Sequence, residues 1–383
     1  MNIKKIIAAG AGTMLASAMA TGAMAQVKSD GTTTTFTAPA QSSAASAAID
    51  YQNAKPVPGR MIGGSGVSAA NAGVSTQSFG APSATPGSDG TGKASPIRLF
   101  TPAAGVQITD DGVTPQEFGT SLQPFTTNQA NSFGVLTERY YPFRAAGKLF
   151  FNIGASSFVC SASLIKPGLV VTAAHCVANF GQSQLYSNWR FVPAYRSGVA
   201  PYGSWTVQQA RVLTSYFNGT DSCAVSGVVC QDDVAVLALN PQGGVYAGNT
   251  TGWYGYGING YSYNSSKQAL ITQLGYPVAL DGGNVMERTD SQGFTSASNS
   301  NNTLIGSLQT GGSSGGPWVV NLGRQPVLSG ISFGIAPVRN IVVGVTSWGF
   351  NNPAIKQQGA SPFTAANISA LVTAQCAATP GVC

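Results

Sequence analysis

Charged side chains are scarce in this chain. Only 8% of its 383 residues are Asp, Glu, Lys or Arg, against about 25% in ordinary soluble proteins. Disordered chains combine low hydrophobicity with high net charge. Here 43% of the residues are hydrophobic, so the composition does not indicate a disordered chain. The formal net charge of +6 is spread thinly, without a basic run, and indicates no nucleic-acid partner.

An apolar run long enough to span a membrane is also missing. The short apolar stretch over residues 6–20 follows two lysines and is itself followed by the A-x-A pattern Ala23-Met24-Ala25. This order is typical of a secretory signal peptide, here residues 1–25, with cleavage predicted before Gln26. We expect a secreted protein, extracellular or periplasmic, that has no membrane contact once the signal is removed.

The chain has a single histidine and six cysteines, none of them in a C-x-x-C pattern. A metal site is therefore a poor alternative, and we expect neither a metal nor a cofactor. In an exported protein an even number of cysteines favours disulfides. Among the connectivities that remain open, we expect the sequential one: Cys160–Cys176, Cys223–Cys230 and Cys376–Cys383.

Residues 26–135 lack cysteine, tryptophan and histidine, and are rich in Ser, Thr, Ala, Gly and Pro. Apolar periodicity is weak there, so we predict a largely disordered or loosely ordered pro-region or linker. A segment that aids folding or delays activity and a simple extended tether are both compatible with this composition. Residues 136–383 form the predicted folded domain.

That domain contains many short apolar runs separated by Gly, Pro and Asn. Such spacing predicts an all-β fold of antiparallel strands, a sandwich or a barrel. Two sets of strands, at about 145–245 and about 252–352, favour two barrels. Ser361 as cap and Pro362 at the first position predict a C-terminal helix over about 362–376.

His175 follows the end of an apolar strand and lies next to Cys176. An imidazole is a natural general base because its unperturbed pKa is near neutrality. Such a base needs a carboxylate that orients it, and Asp233 directly precedes the apolar run 234–239. For its neighbour Asp232 we prefer a solvated loop position. A structural role for His175 is the alternative.

The stretch Thr310–Pro317 places two serines among four glycines. Glycine is costly unless the backbone needs unusual angles or a close approach. One use of such a backbone is to direct N–H groups at an oxyanion while a serine attacks a carbonyl. A flexible Gly/Ser loop is the alternative on composition alone.

Three motifs in this order resemble those of the trypsin/chymotrypsin-like serine proteases: Thr172-Ala-Ala-His-Cys176, Asp233-Val-Ala-Val-Leu237 and Gly312-Ser-Ser-Gly-Gly-Pro317. In addition, Val342–Gly349 resembles the strand that pairs with the substrate backbone beside the S1 pocket. The resemblance covers roughly residues 140–375. It implies two antiparallel six-stranded β-barrels of the chymotrypsin type and a short C-terminal helix.

The resemblance also implies a serine endopeptidase. Ser314 would be the nucleophile, His175 the base and Asp233 the orienting acid, while the N–H groups of Gly312 and Ser314 would form the oxyanion hole. Its partners would be protein or peptide substrates, and we expect a monomer. The implied substrate-binding residues form the base and wall of the pocket: Leu308, Gln309, Thr310, Ser347, Trp348 and Gly349.

The chain departs from the animal enzymes at Ser313, where they have an aspartate that pairs with the freed N-terminus. Activation by that salt bridge cannot operate here, so the activation of this predicted zymogen is open. Bacterial glutamyl-endopeptidase-like enzymes also lack this aspartate. The wider sequence resembles that branch over Tyr141–Phe151, Phe191–Tyr195, Pro201–Trp205 and Leu274–Pro277.

The specificity of that branch is not expected here. Its enzymes read glutamate partly with a histidine, and Ser347 occupies that position. The pocket-base aspartate of trypsin is replaced by Leu308, next to Gln309. These residues predict an uncharged pocket base that favours apolar or small polar P1 residues.

Two other functional classes share parts of this pattern. A protease-like binding or surface protein without activity would have the same fold, although the complete set of three residues favours an enzyme. An esterase of the α/β-hydrolase type would have a G-x-S-x-G elbow, which Gly312–Gly316 matches. However, its histidine follows the serine, and no histidine follows Ser314.

Overall fold

The computed structural model describes residues 26–38, 48–57, 60–62, 80–101, 117–118, 123–131, 134–221, 231–295, 303–327, 329–330, 332, 334–350 and 352–383. The predicted signal peptide and the predicted Cys223–Cys230 disulfide lie outside these residues. In the described part of the chain, no helix is both long and apolar enough to cross a membrane.

The first barrel is a closed ring of six antiparallel strands. Its strands are β1 Ala146–Ile153, β2 Ser156–Lys166, β3 Leu169–Thr172, β4 Ser187–Pro193, β5 Trp205–Leu213 and β6 Ala235–Leu239. The pairing runs β4–β1–β2–β3–β6–β5 and returns to β4. Every residue of β3 and of β6 is buried, which explains why their sequences are almost wholly apolar.

The second barrel closes in the same way. Its strands are β7 Gln268–Gly275, β8 Glu287–Thr295, β9 Thr303–Gly306, β10 Pro317–Val320, β11 Ile341–Phe350 and β12 Gln357–Pro362. The pairing runs β7–β10–β11–β12–β9–β8 and returns to β7. The prediction of two six-stranded antiparallel barrels is therefore confirmed.

Helices are short throughout the described residues. The α-helices are α1 Thr214–Asn218, α2 Ala247–Thr251 and α3 Ala370–Ala378. The 3-10 turns are Thr137–Arg139, Phe143–Ala145, Ala174–Cys176, Asp281–Gly283 and Pro380–Val382.

The C-terminal helix exists but begins later than predicted. Ser361 and Pro362 end β12, where they pair with β11. The cap is Thr364, whose hydroxyl accepts the N–H of Asn367 while the Asn367 side chain accepts the N–H of Thr364. A π-helical turn, Ala365–Ser369, then leads into α3. Strand pairing at β12 overrides the local Ser-Pro signal, and a reciprocal cap starts the helix.

Eight short strands lie in the described parts of the zone 26–135, which was expected to be largely disordered or loosely ordered. These strands are Gln26–Ser29, Thr33–Thr37, Lys55–Pro56, Arg60–Ile62, Ser83–Thr85, Ile97–Arg98, Glu117–Phe118 and Pro124–Gln129. Thr33–Thr37 extends the first barrel at β5, and Pro124–Gln129 extends the second at β8. Because pairing with the barrels fixes them, they need little apolar periodicity of their own.

Four further short strands complete the described elements. They are Ala178–Asn179, Gln184–Leu185, Val199–Ala200 and Gly255–Ile258. Gly255–Ile258 pairs with Ser83–Thr85 and, in parallel, with the start of β11. The N-terminal zone thus contacts the described part of both barrels.

Candidate active site

His175 and Asp233 meet because the strands that precede and follow them are paired. The turn Ala174–Cys176, which follows β3, holds His175, and Asp233 lies just before β6. In the β3–β6 ladder Thr172 is opposite Ala235. Asp233 Oδ2 lies 2.7 Å from His175 Nδ1, and Asp233 Oδ1 accepts the His175 backbone N–H at 2.8 Å.

The Asp233 carboxylate is almost completely buried, with 1% of its surface exposed. Burial alone would raise its pKa. However, the attraction of His175 and hydrogen bonds from His175 and Ser347 together hold the pKa below the usual 3.8. The buried acid therefore stays ionised and fixes the orientation of the ring.

The second ring nitrogen of His175, Nε2, is buried and has no hydrogen-bond partner among the described residues. When Nδ1 donates to a carboxylate, Nε2 carries the free lone pair. The chain therefore presents an oriented, unoccupied proton acceptor in the site.

Ser347 does more than the sequence suggested. It lines the pocket, as predicted, but its hydroxyl also donates a hydrogen bond of 2.5 Å to Asp233 Oδ2. A hydroxyl bonded to a buried carboxylate stabilises the charged form. Sequence reasoning missed this role because no local pattern links Ser347 to a residue 114 positions earlier.

Asp232 does not contact the ring. Its backbone N–H donates to Asp221, and its carboxylate accepts from Ser215 at 3.3 Å. Burial and the charge of Asp221 raise its pKa to about 7. The choice of Asp233 over Asp232 thus agrees with the geometry, although Asp232 is partly buried rather than solvated.

Ser314 lies in the turn between β9 and β10 and has 6% of its surface exposed. Ser161 of β2 holds this turn from the first barrel. Its N–H donates to Ser314 O at 2.7 Å, and its hydroxyl donates to Gly312 O at 2.8 Å while accepting the N–H of Tyr276 at 2.9 Å. Sequence reasoning missed Ser161, for which its place beside Cys160 was the only signal.

Two glycines in this turn have backbone angles that favour glycine, with φ of +99° at Gly312 and +78° at Gly315. There is also no room for a side chain. A Cβ on Gly312 would lie 2.5 Å from Tyr276 O, and one on Gly315 would lie 2.0 Å from Thr172 Oγ1. The Gly/Ser run is therefore a closely packed turn.

The backbone N–H groups of Gly312 and Ser314 are both in the buried turn. Among the described residues neither finds an acceptor. Buried N–H groups are normally paired because leaving them unpaired costs free energy. Two such donors next to one serine hydroxyl form a ready site for an oxyanion.

Ser313 belongs to a network of hydrogen bonds between uncharged side chains and backbone groups. Ser313 Oγ donates to Thr310 O at 2.7 Å and accepts from Gln358 Nε2 at 3.3 Å. Gln358 Oε1 in turn accepts from Gln273, whose amide also donates to Thr346 and accepts from Ser307. Uncharged amides and hydroxyls thus occupy the surroundings of the position where animal trypsins have an aspartate.

A cavity of about 210 Å³ opens beside Ser314. All six predicted substrate-binding residues line it, and Lys356 is the one charged side chain among the described residues of its wall. The lining residues are Ser307, Leu308, Gln309, Thr310, Gly311, Ser314, Thr346, Ser347, Trp348, Gly349, Phe350, Asn352, Pro353, Ile355, Lys356, Gln357 and Gln358.

Two of the three predicted disulfides lie within the described residues. Cys160 is bonded to Cys176, with their Cα atoms 6.3 Å apart, and Cys376 is bonded to Cys383. The first disulfide joins the residue before Ser161 to the residue after His175. Cys160, Cys176 and His175 lie close together, but the two sulfur atoms are bonded to each other and so offer no thiolate.

The Trypsin family model matches residues 137–370. Among curated proteins, an extracellular metalloprotease of Bacillus subtilis (strain 168) is 26% identical over 140 residues, which cover 36% of this chain and 40% of that protein. The chain thus spans less than half the length of this relative.

Solved structures with similar chains include two proteases. A thermostable serine protease AL20 from an extremophilic microorganism is 23% identical, with a TM-score of 0.47, over 58% of this chain and 93% of that one. A Glu endopeptidase is 19% identical, with a TM-score of 0.45, over 69% of this chain and 98% of that one.

Proposed function

The chain belongs to the trypsin family of serine proteases, and from this premise we propose that it is an exported serine endopeptidase. The observation that carries the proposal is the pairing of an ionised, buried Asp233 with His175, whose Nε2 is unoccupied. Ser314 lies in a glycine turn with two unpaired N–H groups. These are the parts that acyl transfer by a serine requires.

In the proposed reaction Ser314 Oγ attacks the carbonyl carbon of a peptide bond, and His175 Nε2 takes the hydroxyl proton. Asp233 stabilises the imidazolium, while the N–H groups of Gly312 and Ser314 bind the oxyanion. His175 then gives the proton to the leaving amine as the C–N bond breaks. Water, deprotonated by His175, hydrolyses the acyl-enzyme and regenerates Ser314.

A fluorophosphonate probe tests the nucleophile directly. We expect covalent labelling at Ser314, identified by mass spectrometry, and complete loss of labelling in Ser314→Ala. Labelling and peptide hydrolysis should persist after EDTA treatment, because the proposed reaction uses no metal. A folded, secreted protein that is not labelled under any condition would favour the alternative, an inactive protease-like binding protein.

Cleavage within the chain is the finer part of the proposal. Peptides blocked by acetylation at the N-terminus and amidation at the C-terminus distinguish the two modes of cleavage. An endopeptidase cleaves them internally, whereas an exopeptidase leaves them intact.

The proposed P1 preference is for apolar or small polar side chains. Leu308 and Gln309 supply uncharged surface in the cavity, and Lys356 repels a basic side chain. Digestion of a peptide library with varied P1 residues should show cleavage after neutral residues and little after Arg or Lys. A strong preference for Arg or Lys would contradict this assignment.

We further propose that the mature enzyme starts after the zone 26–135. N-terminal sequencing of the secreted form should give a start between about 130 and 145. A start at Gln26 would instead make this zone a permanent part of the working enzyme.

A further inference from the structure

Two short strands of the N-terminal zone lie on the two edges of the candidate cleft. Lys55–Pro56 pairs in parallel with Phe158–Val159 of β2. Arg60–Ile62 pairs in parallel with Trp348–Phe350 of β11. The first edge belongs to the strand that holds the Ser314 turn, and the second edge lines the cavity.

The end of the first short strand, Pro56 and Val57, lies against the turn that contains Ser314 and against the edge of the first barrel. The Pro56 Cβ lies 3.3 Å from the position that a Cβ on Gly311 would take. Val57 donates its N–H to Val159 O at 3.4 Å and is only 6% exposed. Val57 also belongs to an apolar cluster that includes Trp348. Pro56 and Val57 are therefore packed against the residues that border the cleft.

The direction of this segment is opposite to that of a productive substrate. A substrate must place its acyl-side residues along Trp348–Phe350, because this strand lines the cavity beside Ser314. Its leaving-group residues then extend toward Val159. The segment pairs in parallel with both edges and runs from Val159 toward Trp348 instead.

We propose that the cleft has a second binding mode, in which it binds an extended peptide running opposite to a substrate. The occupant is this chain's own segment, Lys55–Val57 with Arg60–Ile62, hereafter the reversed segment. In this direction the amide nitrogens and carbonyls exchange places, so no scissile bond meets Ser314 with its leaving nitrogen toward His175. The reversed segment is therefore bound without being cut and excludes substrates.

This inference rests on the proposed peptidase function. It also depends on the segment being held in place, and the residues before it supply the attachment. Asp50 N–H donates to Ser157 Oγ at 2.9 Å, and the rings of Tyr51 and Phe150 make an edge contact at 4.9 Å. A tethered ligand acts at an effective concentration of about millimolar, so even weak pairing blocks the cleft.

The test compares the unprocessed chain, which begins at Gln26 and still carries the N-terminal zone, with the double variant Val57→Asp, Met61→Pro in the same unprocessed form. The aspartate places a charge at a buried position, and the proline removes an N–H from the strand. The matched control is Ile97→Asp, Arg98→Pro, which alters a strand that pairs with Val199–Ala200. Each protein is assayed by fluorophosphonate labelling and by hydrolysis of a blocked peptide with a neutral P1 residue.

We expect kcat/KM for the peptide to rise at least about tenfold in the double variant, consistent with loss of a tethered competitor, and to stay unchanged in the control. Equal kcat/KM in all three proteins, with normal labelling, would overturn the second binding mode but leave the peptidase function intact. Absence of labelling and hydrolysis in all three would instead overturn the peptidase function.

The unmodified chain provides a second measurement if the double variant does not fold. A peptidyl phosphonate attached to Ser314 occupies the acyl side of the cleft and must expel Arg60–Ile62. Hydrogen exchange measured by mass spectrometry should then increase in the peptide containing the reversed segment. Unchanged exchange after complete labelling would contradict the inference.

Discussion

The two barrels hold their halves of the site by different means. The first barrel holds His175 and Asp233 as a charge pair in the loops that adjoin strands β3 and β6, which are buried along their whole length. The second barrel holds the Ser314 turn with tight glycines and a neutral network around Gln273. Within one site, therefore, a charge pair positions the residues of the first barrel, and uncharged hydrogen bonds position the turn of the second barrel.

This contrast also bears on Ser313. A loop that needs a newly formed salt bridge changes shape when that bridge forms. The Ser313 turn is already tied to Thr310 and Gln358. We therefore attribute control of access to the reversed segment in the cleft rather than to rearrangement of this turn.

The largest expected effect comes from breaking the charge pair of the first barrel. Asp233→Asn should lower kcat on the order of 10⁴-fold, because the amide no longer fixes the tautomer of His175. Asp232→Asn is the matched control, since its carboxylate does not contact the ring, and it should stay within a few fold of the unmodified chain. Steady-state kinetics on a neutral-P1 peptide measures both; equal losses would contradict the assignment of Asp233.

The uncharged hydrogen-bond network of the second barrel can be tested at Gln273, which does not line the cavity. Gln273→Leu leaves Ser307, Thr346 and Gln358 short of partners, which costs about 1–3 kcal/mol of unfolding free energy. If the network positions the turn, kcat should also fall about tenfold with little change in KM. Gln375→Leu, at a buried amide beside the first barrel, should lose stability alone. Equal kcat in Gln273→Leu and Gln375→Leu would show that the network stabilises the fold without positioning the Ser314 turn.

Ser347 links the two sides, because a residue of the second barrel donates to the acid of the first. Ser347→Ala should reduce kcat by about tenfold, in line with the loss of a hydrogen bond to a charged group. That bond helps to lower the pKa of Asp233, so its removal raises this pKa. The acid limb of the kcat profile should shift to higher pH. An unshifted profile would show that the bond does not act on Asp233.

The smallest effect on catalysis is expected from a change that acts on stability alone, in the second barrel. Burial, with the nearby Asp281, raises the pKa of Glu287 to about 9 from the usual 4.5. The folded protein thus keeps a proton that the unfolded chain releases, so this contribution to stability is complete below about pH 4.5 and declines as pH rises to about 9. Urea unfolding of Glu287→Gln should show a weaker decline between pH 5 and 8. Asp290→Asn on the same strand is the control.

The two barrels were also not equally predictable from sequence. Apolar runs and the motifs around His175, Asp233 and Ser314 predicted the closed barrels and the residues that meet in the site. No apolar run marks strand β8, because its buried residues Glu287, Thr289 and Ser291 are polar.

The rest was unpredictable for a physical reason. The contacts of Ser161, Ser347 and Gln273 join residues far apart in the chain, and each residue alone is an ordinary polar side chain. The N-terminal strands likewise depend on partners supplied by the barrels, as in the pairing of Thr33–Thr37 with β5. The composition of the segment itself does not indicate these partners.

The Cys160–Cys176 disulfide has a consequence for where and when the site is assembled. One of its ends adjoins Ser161, which holds the nucleophile turn, and the other adjoins His175. In a reducing compartment this disulfide does not persist. The covalent link between the segment of His175 and the segment of Ser161 is then lost. For the proposed exported peptidase, two features would protect the producing cell: the reduced Cys160–Cys176 pair before export and the reversed segment in the cleft.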